Sequence, residues 1–138
     1  MYLVAPRWQE IPGSTDHSVP LAALATAQFI MPNQTHTVRR SLEQAFAHAG
    51  LTLDVVVELD HTRPLAEAVE LGLGMTVLPK AAAESMFPRD AVRLYRIVDP
   101  SLVTALALAT PDGQPLSLAA EAALEVVRAA VLHRLGRA

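Results

Sequence analysis

The 138-residue sequence contains no cysteine, which excludes disulfides, thiolate metal sites and cysteine nucleophiles together. Aromatic residues make up only 4% of the chain, so alanine, leucine and valine must supply most of its core. An excess of positive charge is also missing. The formal net charge is −3, and we therefore do not expect this chain to bind nucleic acid through its own surface.

Long hydrophobic segments are absent too. No apolar run reaches the ~18 residues of a membrane span. The first residues lack the basic start and the long apolar stretch of a signal peptide. We therefore expect a soluble, cytoplasmic protein that makes no contact with a membrane.

Half of the residues (51%) are apolar and 18% are charged, which is enough to bury a core. Short apolar runs alternate with stretches of helical periodicity in the order β, long loop, β-α-β-α-β-α-β-β-α. Strands that alternate with helices predict an α/β sandwich with a mostly parallel sheet. The predicted strands cover residues 2–5, 29–31, 53–59, 74–78, 92–98 and 102–109.

Local sequence signals refine these elements. Three consecutive valines, Val55 to Val57, are typical of a strand that is buried on both faces. The alternation in 92–98 instead predicts an edge or half-exposed strand. Thr35 or Thr37 is expected to N-cap the first long helix, which ends at Gly50, and Ser117 to N-cap the last helix. The first helix has its apolar stripe at Val38, Leu42, Ala45, Phe46 and Ala49, with Arg39, Arg40, Glu43, Gln44 and His48 on the polar face.

The sequence offers little for catalysis or metal binding. His36, His48 and His61 are widely separated, without the i, i+3 or i+4 spacing of metal ligands on one helix. None of the serines lies in a GxSxG elbow, and no predicted cleft segment contains paired carboxylates. Gly72 and Gly74 follow a helix and precede a strand, which is the reverse of a dinucleotide-binding order. We therefore expect no enzyme, no metal and no cofactor.

Two loops are better candidates for a binding site, because each joins the end of a predicted strand to the start of a helix. A helix N-terminus offers free N–H groups and a favourable dipole to an anion. The predicted ligand-binding residues are Pro32, Asn33, Gln34, Thr35 and His36 in the first loop, and Asp60, His61 and Thr62 in the second. The alternatives remain that a threonine caps the helix within an otherwise solvated loop, and that the neighbouring Arg63 pairs with Glu67.

Several segments resemble one family of regulators. They are Phe29-Ile30-Met31-Pro32 with the arginine-bearing helix that follows, the stretch Leu65 to Pro79, and Ile97 to Leu102 with Leu116-Ser117 opening a terminal helix. Met1 to Pro6 resembles the same family's entry strand, although Trp8-Gln9-Glu10 replaces its usual His-Pro. Together these segments are similar to the effector-binding domain of LysR-type transcriptional regulators, over nearly the whole chain.

The resemblance implies a periplasmic-binding-protein-like fold. By this likeness, residues 1–138 are a partial effector-binding domain: 1–20 is the entry strand and loop of subdomain I, 21–101 is subdomain II, and 102–138 returns to subdomain I. No helix-turn-helix is recognisable, so DNA binding is expected only through a domain that this chain lacks. The apolar segments 2–5 and 124–135 are then expected to lack complete partners.

The implied function is to bind a small anionic effector and so to control transcription, without catalysis. The resemblance also implies that the helix from Thr37 to Ala49 packs against a second copy of the chain. An alternative stays open at this point: a solute-binding protein, or another small-molecule-binding domain, of the same fold.

Overall fold

The computed structural model describes residues 1–104 and 107–135, and the chain divides into two compact units, 1–105 and 106–138. The elements of the first unit are β1 (Tyr2–Pro6), β2 (Ser18–Pro20), a 3-10 turn (Leu21–Leu24), β3 (Gln28–Met31), α1 (Thr37–His48), β4 (Asp54–Glu58), α2 (Thr62–Glu70), β5 (Thr76–Leu78), α3 (Lys80–Met86) and β6 (Val92–Val98). The expected α/β class is confirmed. The predicted division into subdomain segments stays a prediction.

The sheet is mixed: it contains the parallel pairs that the sequence predicts and also antiparallel ones. The order β2-β6-β1-β5 places β1 antiparallel to both of its neighbours, whereas β2 is parallel to β6. A second, parallel pair contains β3 and β4. A helical crossover makes strands parallel only where it connects them, as α1 does for β3 and β4. β1 has no such crossover, since a loop leads from it to β2.

The backbone of Met75 joins the two sheets. Its N–H donates to the carbonyl of Gln28, and its carbonyl accepts from the N–H of Ile30, each at 2.8 Å. β3 and β4 therefore continue the four-stranded sheet beyond β5. This continuity fixes the position of the β3 and β4 ends relative to the core.

Helices cover both faces of the sheet. One hydrophobic cluster contains the buried side of α1 with Leu3 and Phe29, and the other contains α2 and α3 with Val4 and Ile30. Leu3 and Val4 contribute to opposite clusters because successive side chains of a strand point to opposite faces. β1 is thus buried on both faces between β5 and β6, and the expectation that segment 2–5 lacks a partner is wrong.

The valine run in β4 is not central, which corrects the sequence prediction. β4 pairs only with β3 among the described residues. The register steps from Val55 opposite Phe29 to Val57 opposite Ile30, so Val56 is the extra residue of a bulge. Val56 is 41% exposed and Val57 is 37% exposed. β6, expected to be an edge or half-exposed strand, instead lies between β1 and β2 and keeps the expected alternation of burial.

Glycines end two helices as the sequence predicts. Gly50 and Gly72 follow α1 and α2 with φ values of +68° and +78°, the left-handed conformation that ends a helix at the position after its C-cap. Gly72 also supports a close contact, since a Cβ there would lie 2.4 Å from an indole carbon of Trp8. The sequence Gly72-Leu73-Gly74 is therefore a helix end and a tight turn.

The second unit contains one helix, α4 (Leu118–Leu135), within its described residues. The hydroxyl of Ser117 accepts the N–H of Ala120 at 3.2 Å, so Ser117 caps this helix as predicted. A turn at 112–113 precedes the helix. The predicted strand 102–109 includes residues 105 and 106, which lie outside the described residues, and its described residues form no strand.

Candidate functional site

The two predicted ligand loops lie side by side at the carboxyl ends of neighbouring parallel strands. The first loop, 32–36, leads from β3 to α1. The second lies between β4 and α2, and its predicted residues, 60–62, end at the first residue of α2. Because β3 and β4 are parallel and adjacent, their following loops meet at one edge of the sheet. Sequence reasoning therefore chose two segments that the fold brings together.

A double hydrogen bond joins these loops. The backbone N–H of Asn33 donates to Oδ1 of Asp60, and the side-chain amide of Asn33 donates to Oδ2, each at 2.9 Å. The pKa of Asp60 is held below its usual value. The largest cause is the hydrogen bond from the backbone N–H of Asn33, followed by the bond from its side-chain amide and by the positive potential of His36 and His61. Asp60 therefore carries a negative charge within the candidate site.

Asn33 also organises its own loop. Its side-chain oxygen accepts from the backbone N–H of Thr35 at 2.9 Å and from the Thr35 hydroxyl at 2.6 Å. This Asx turn uses the hydroxyl that was expected to cap α1. The N-cap is instead His36, without a side-chain cap hydrogen bond, so the prediction of Thr35 or Thr37 as the cap is wrong.

Both helices begin with open N-termini at this site. His36 and His61 are the N-cap residues of α1 and α2, and neither helix has a side-chain cap. The first N–H groups of a helix have no intrahelical partner, and the dipole adds positive potential there. Nε2 of His36 lies 3.9 Å from Oδ1 of Asp60. The arrangement therefore offers two helix N-termini and two imidazoles around a single carboxylate.

The remaining predicted residues lie within or beside this arrangement. Pro32 is half-buried at the end of β3, and Gln34 is exposed in the middle of the first loop. Thr62 is the first residue of α2 and also lines a separate groove between α2 and α3. Arg63 pairs with Glu67 at 3.1 Å, which agrees with the alternative that it forms a surface ion pair.

One contributing residue was missed by sequence reasoning. Arg39 was assigned to the polar face of α1, yet it is buried, with its guanidinium directed to Glu43, Glu58 and the carbonyl of Pro32. The spacing of Arg39, Leu42 and Phe46 at i, i+3 and i+7 is the available signal, because it places the arginine on the apolar stripe. No group of three or more metal-ligating side chains occurs among the described residues.

Comparisons with known proteins agree with this fold. Residues 1–132 match the family model described as the LysR substrate binding domain. The chain is 30% identical over 123 residues to the nitrogen assimilation regulatory protein nac of Escherichia coli K12, covering 89% of this chain and 39% of that protein. The nac protein of Klebsiella aerogenes is 32% identical, covering 92% and 40%. The chain thus spans about two fifths of these curated relatives.

Solved structures have the same fold at lower identity. The Synechocystis PCC6803 CcmR regulatory domain in complex with 2-PG is similar, with a TM-score of 0.72 and 21% identity over 93% of this chain and 61% of that one. The effector binding domain of QuiR in complex with shikimate has a TM-score of 0.65 and 16% identity over 88% and 56%. No helix among the described residues is long and apolar enough to cross a membrane.

Proposed function

The chain belongs to the LysR substrate binding domain family, a non-enzymatic regulatory family, and from this premise we propose that it senses a small anionic effector for a transcriptional regulator. The expectation of a non-enzyme agrees with this membership. The relatives of similar fold support the effector class: one was solved with shikimate, which is a carboxylate. The membership also favours a regulator over the alternative of a solute-binding protein.

The observation that carries the proposal is the meeting of two uncapped helix N-termini at the loops 32–36 and 60–62. Asp60 already occupies the N–H and side-chain amide of Asn33, so a second anion has to use other donors. Those donors are the open N–H groups at the starts of α1 and α2, the imidazoles of His36 and His61, and the amide of Gln34. The negative Asp60 favours effectors that combine an anionic group with a hydroxyl that can donate to its carboxylate.

We further propose that the partner at α1 is a second copy of this chain. The surface is 37–49 with the free edge of β4, which is joined to α1 by an ion pair between Arg39 and Glu58 at 3.3 Å. Val56 and Val57 expose apolar area on that edge, and an unpaired strand edge is a surface for association. For the whole regulator we propose contact with DNA through a helix-turn-helix, and action in the cytoplasm.

An NMR titration of the chain with shikimate, acetate, sulfate and phosphate tests the effector site. We expect amide shifts that cluster at residues 33–36 and 60–63. The strongest response is expected from shikimate, because it supplies both a carboxylate and hydroxyls. The methyl ester of shikimate is the matched ligand control, since it keeps the ring and hydroxyls but loses the charge.

A pair of variants localises the response. His36→Gln removes an imidazole from the start of α1 and should reduce the shikimate shifts. His17→Gln changes an exposed histidine in the loop before β2 and should leave them unchanged. Shifts that cluster around Arg93 and Arg96, or an equal response to the neutral ester, would contradict the proposed site and its preference for anions.

A further inference from the structure

Arg39 is the one charged residue that is buried among those described, with 6% of its surface exposed. A buried guanidinium is costly unless carboxylates and carbonyls satisfy its charge and its donors. Its position on the apolar stripe of α1 brings it under the start of the first loop. Arg39 is therefore held in place by the polar partners that surround it beside the candidate binding site.

The guanidinium contacts three different segments. Nε donates to Oε1 of Glu43, one turn further along α1, at 2.6 Å. Nη1 lies 3.3 Å from Oε1 of Glu58, the last residue of β4, and 3.4 Å from the carbonyl oxygen of Pro32, which follows β3. The planar fork of arginine suits such a set of fixed partners, whereas the single ammonium of lysine does not.

Two links therefore connect the same pair of strand ends. The inner link is Arg39, between Pro32 and Glu58. The outer link is the hydrogen-bonded pair of Asn33 and Asp60, which lies one residue beyond Pro32 and two beyond Glu58. The outer pair is exposed and competes with water, so it is weak by itself. The inner link starts from a buried guanidinium, although Glu58 is about half exposed and its contacts of 3.3 and 3.4 Å are longer than the 2.9 Å bonds of the outer pair.

We propose that Arg39 is a positioning residue that sets the separation of loops 32–36 and 60–62, and so keeps Asn33 within reach of Asp60. The role of these loops as an effector site rests on the proposed function, but the positioning itself does not. Arg39 acts through the backbone of Pro32 and the carboxylate of Glu58 and needs no contact with the effector.

The test follows the carboxyl group of Asp60 and the backbone amide of Asn33 by NMR in variants of the whole chain. Arg39→Gln should shift the Asn33 amide and raise the pKa of Asp60 towards its usual value, because the hydrogen bonds that lower it are lost. Arg39→Lys keeps the charge without the fork and should give an intermediate change. Arg40→Gln removes the same unit of charge from the exposed neighbouring position and should leave both signals as in the parent.

The proposal would be overturned if Arg39→Gln lowered the melting temperature but left the titration of Asp60 unchanged, because Arg39 would then only stabilise the core. If Arg39→Gln does not fold, Glu58→Ala removes the acceptor on β4 at a half-exposed position, and the same two signals decide. These measurements need no ligand. If Arg39→Gln leaves the Asp60 pKa and the Asn33 amide unchanged, the positioning role alone is refuted. If the Asp60 pKa does respond to Arg39→Gln but shikimate causes no shifts in the parent chain, the effector site alone is refuted.

Discussion

β1 and β4 are both short strands of mainly apolar residues, yet the fold places them in opposite environments. β1 runs between β5 and β6, and its residues from Leu3 to Pro6 are buried. Among the described residues β4 pairs with β3 alone, and all five of its residues are at least partly open to solvent, with Val56 and Val57 exposed. Apolar composition therefore predicts a strand, but the number of its neighbours decides how deeply it is buried.

The two strands also differ in their relation to the candidate site. β1 supplies side chains to both hydrophobic clusters and lies away from the loops. β4 contributes little to the core, but its end carries Glu58 and Asp60, which hold the loop after β3. One strand thus contributes to the core, while the other leads into the candidate loops and carries the edge that we propose for association.

The strongest test of this contrast is Val4→Asp, which places a carboxylate at the centre of β1. Val4 is fully buried in the cluster beneath α2 and α3, and an unpaired polar group there costs about 2–7 kcal/mol. We expect the chain to unfold at room temperature, as judged by circular dichroism. A folded Val4→Asp chain would mean that β1 is not the centre of the sheet.

Phe46→Ala is expected to have the next largest effect. Phe46 lies on the buried face of α1 and meets Phe29 of β3 edge to face, with ring centroids 5.8 Å apart. Its loss leaves a cavity and should lower the free energy of unfolding by about 3–5 kcal/mol, measured by urea denaturation. Gln44→Ala, at an exposed position of α1, is the control and should have little effect. A small loss for Phe46→Ala would show that α1 does not hold the β3–β4 pair.

Val56→Asp repeats the first substitution in the other strand. Since Val56 is the exposed extra residue of the bulge, the free energy of unfolding should change by no more than about 0.5 kcal/mol. Sedimentation should instead reveal weaker self-association, because a charge interrupts the apolar edge of β4. Thr52→Asp, which adds the same charge at an exposed position before β4, serves as the control. Unfolding of Val56→Asp would restore the interpretation of β4 as a central strand.

The smallest effect concerns the end of β4. Because Asn33 and the nearby histidines lower the pKa of Asp60 in the folded chain, ionised Asp60 stabilises the fold above its unfolded pKa of about 3.9. This contribution is lost as the pH falls through the lower folded value. NMR should record a midpoint for Asp60 below about 3.9, with loss of the Asn33 contact over the same range. An Asp60 midpoint at or above that value would show that the two loops are not joined in solution.

The sequence predicted helix ends that depend on local signals better than it predicted contacts between distant segments. Local conformational preferences determine where α1 and α2 end, at Gly50 and Gly72, and where Ser117 caps α4. These preferences act within a few residues, so they can be predicted from the sequence. The pairing of Asn33 with Asp60 joins residues 27 positions apart, and no local pattern encodes it. The wrong cap of α1 has a local cause instead, because Asn33 forms an Asx turn with Thr35 two residues later, and this turn competes with capping by the same threonine.

The sequence by itself determined the α/β class, the positions of most helices and strands in the first unit, and the two loops that follow β3 and β4. These depend on hydrophobic periodicity and on glycine, proline and serine signals, which are local properties of the chain. Only the tertiary structure decided that β1 is central and β4 peripheral, that the sheet is mixed, and that Arg39 is buried. Such features depend on which strands become neighbours, and that is set by the packing of α1 on one face and of α2 and α3 on the other.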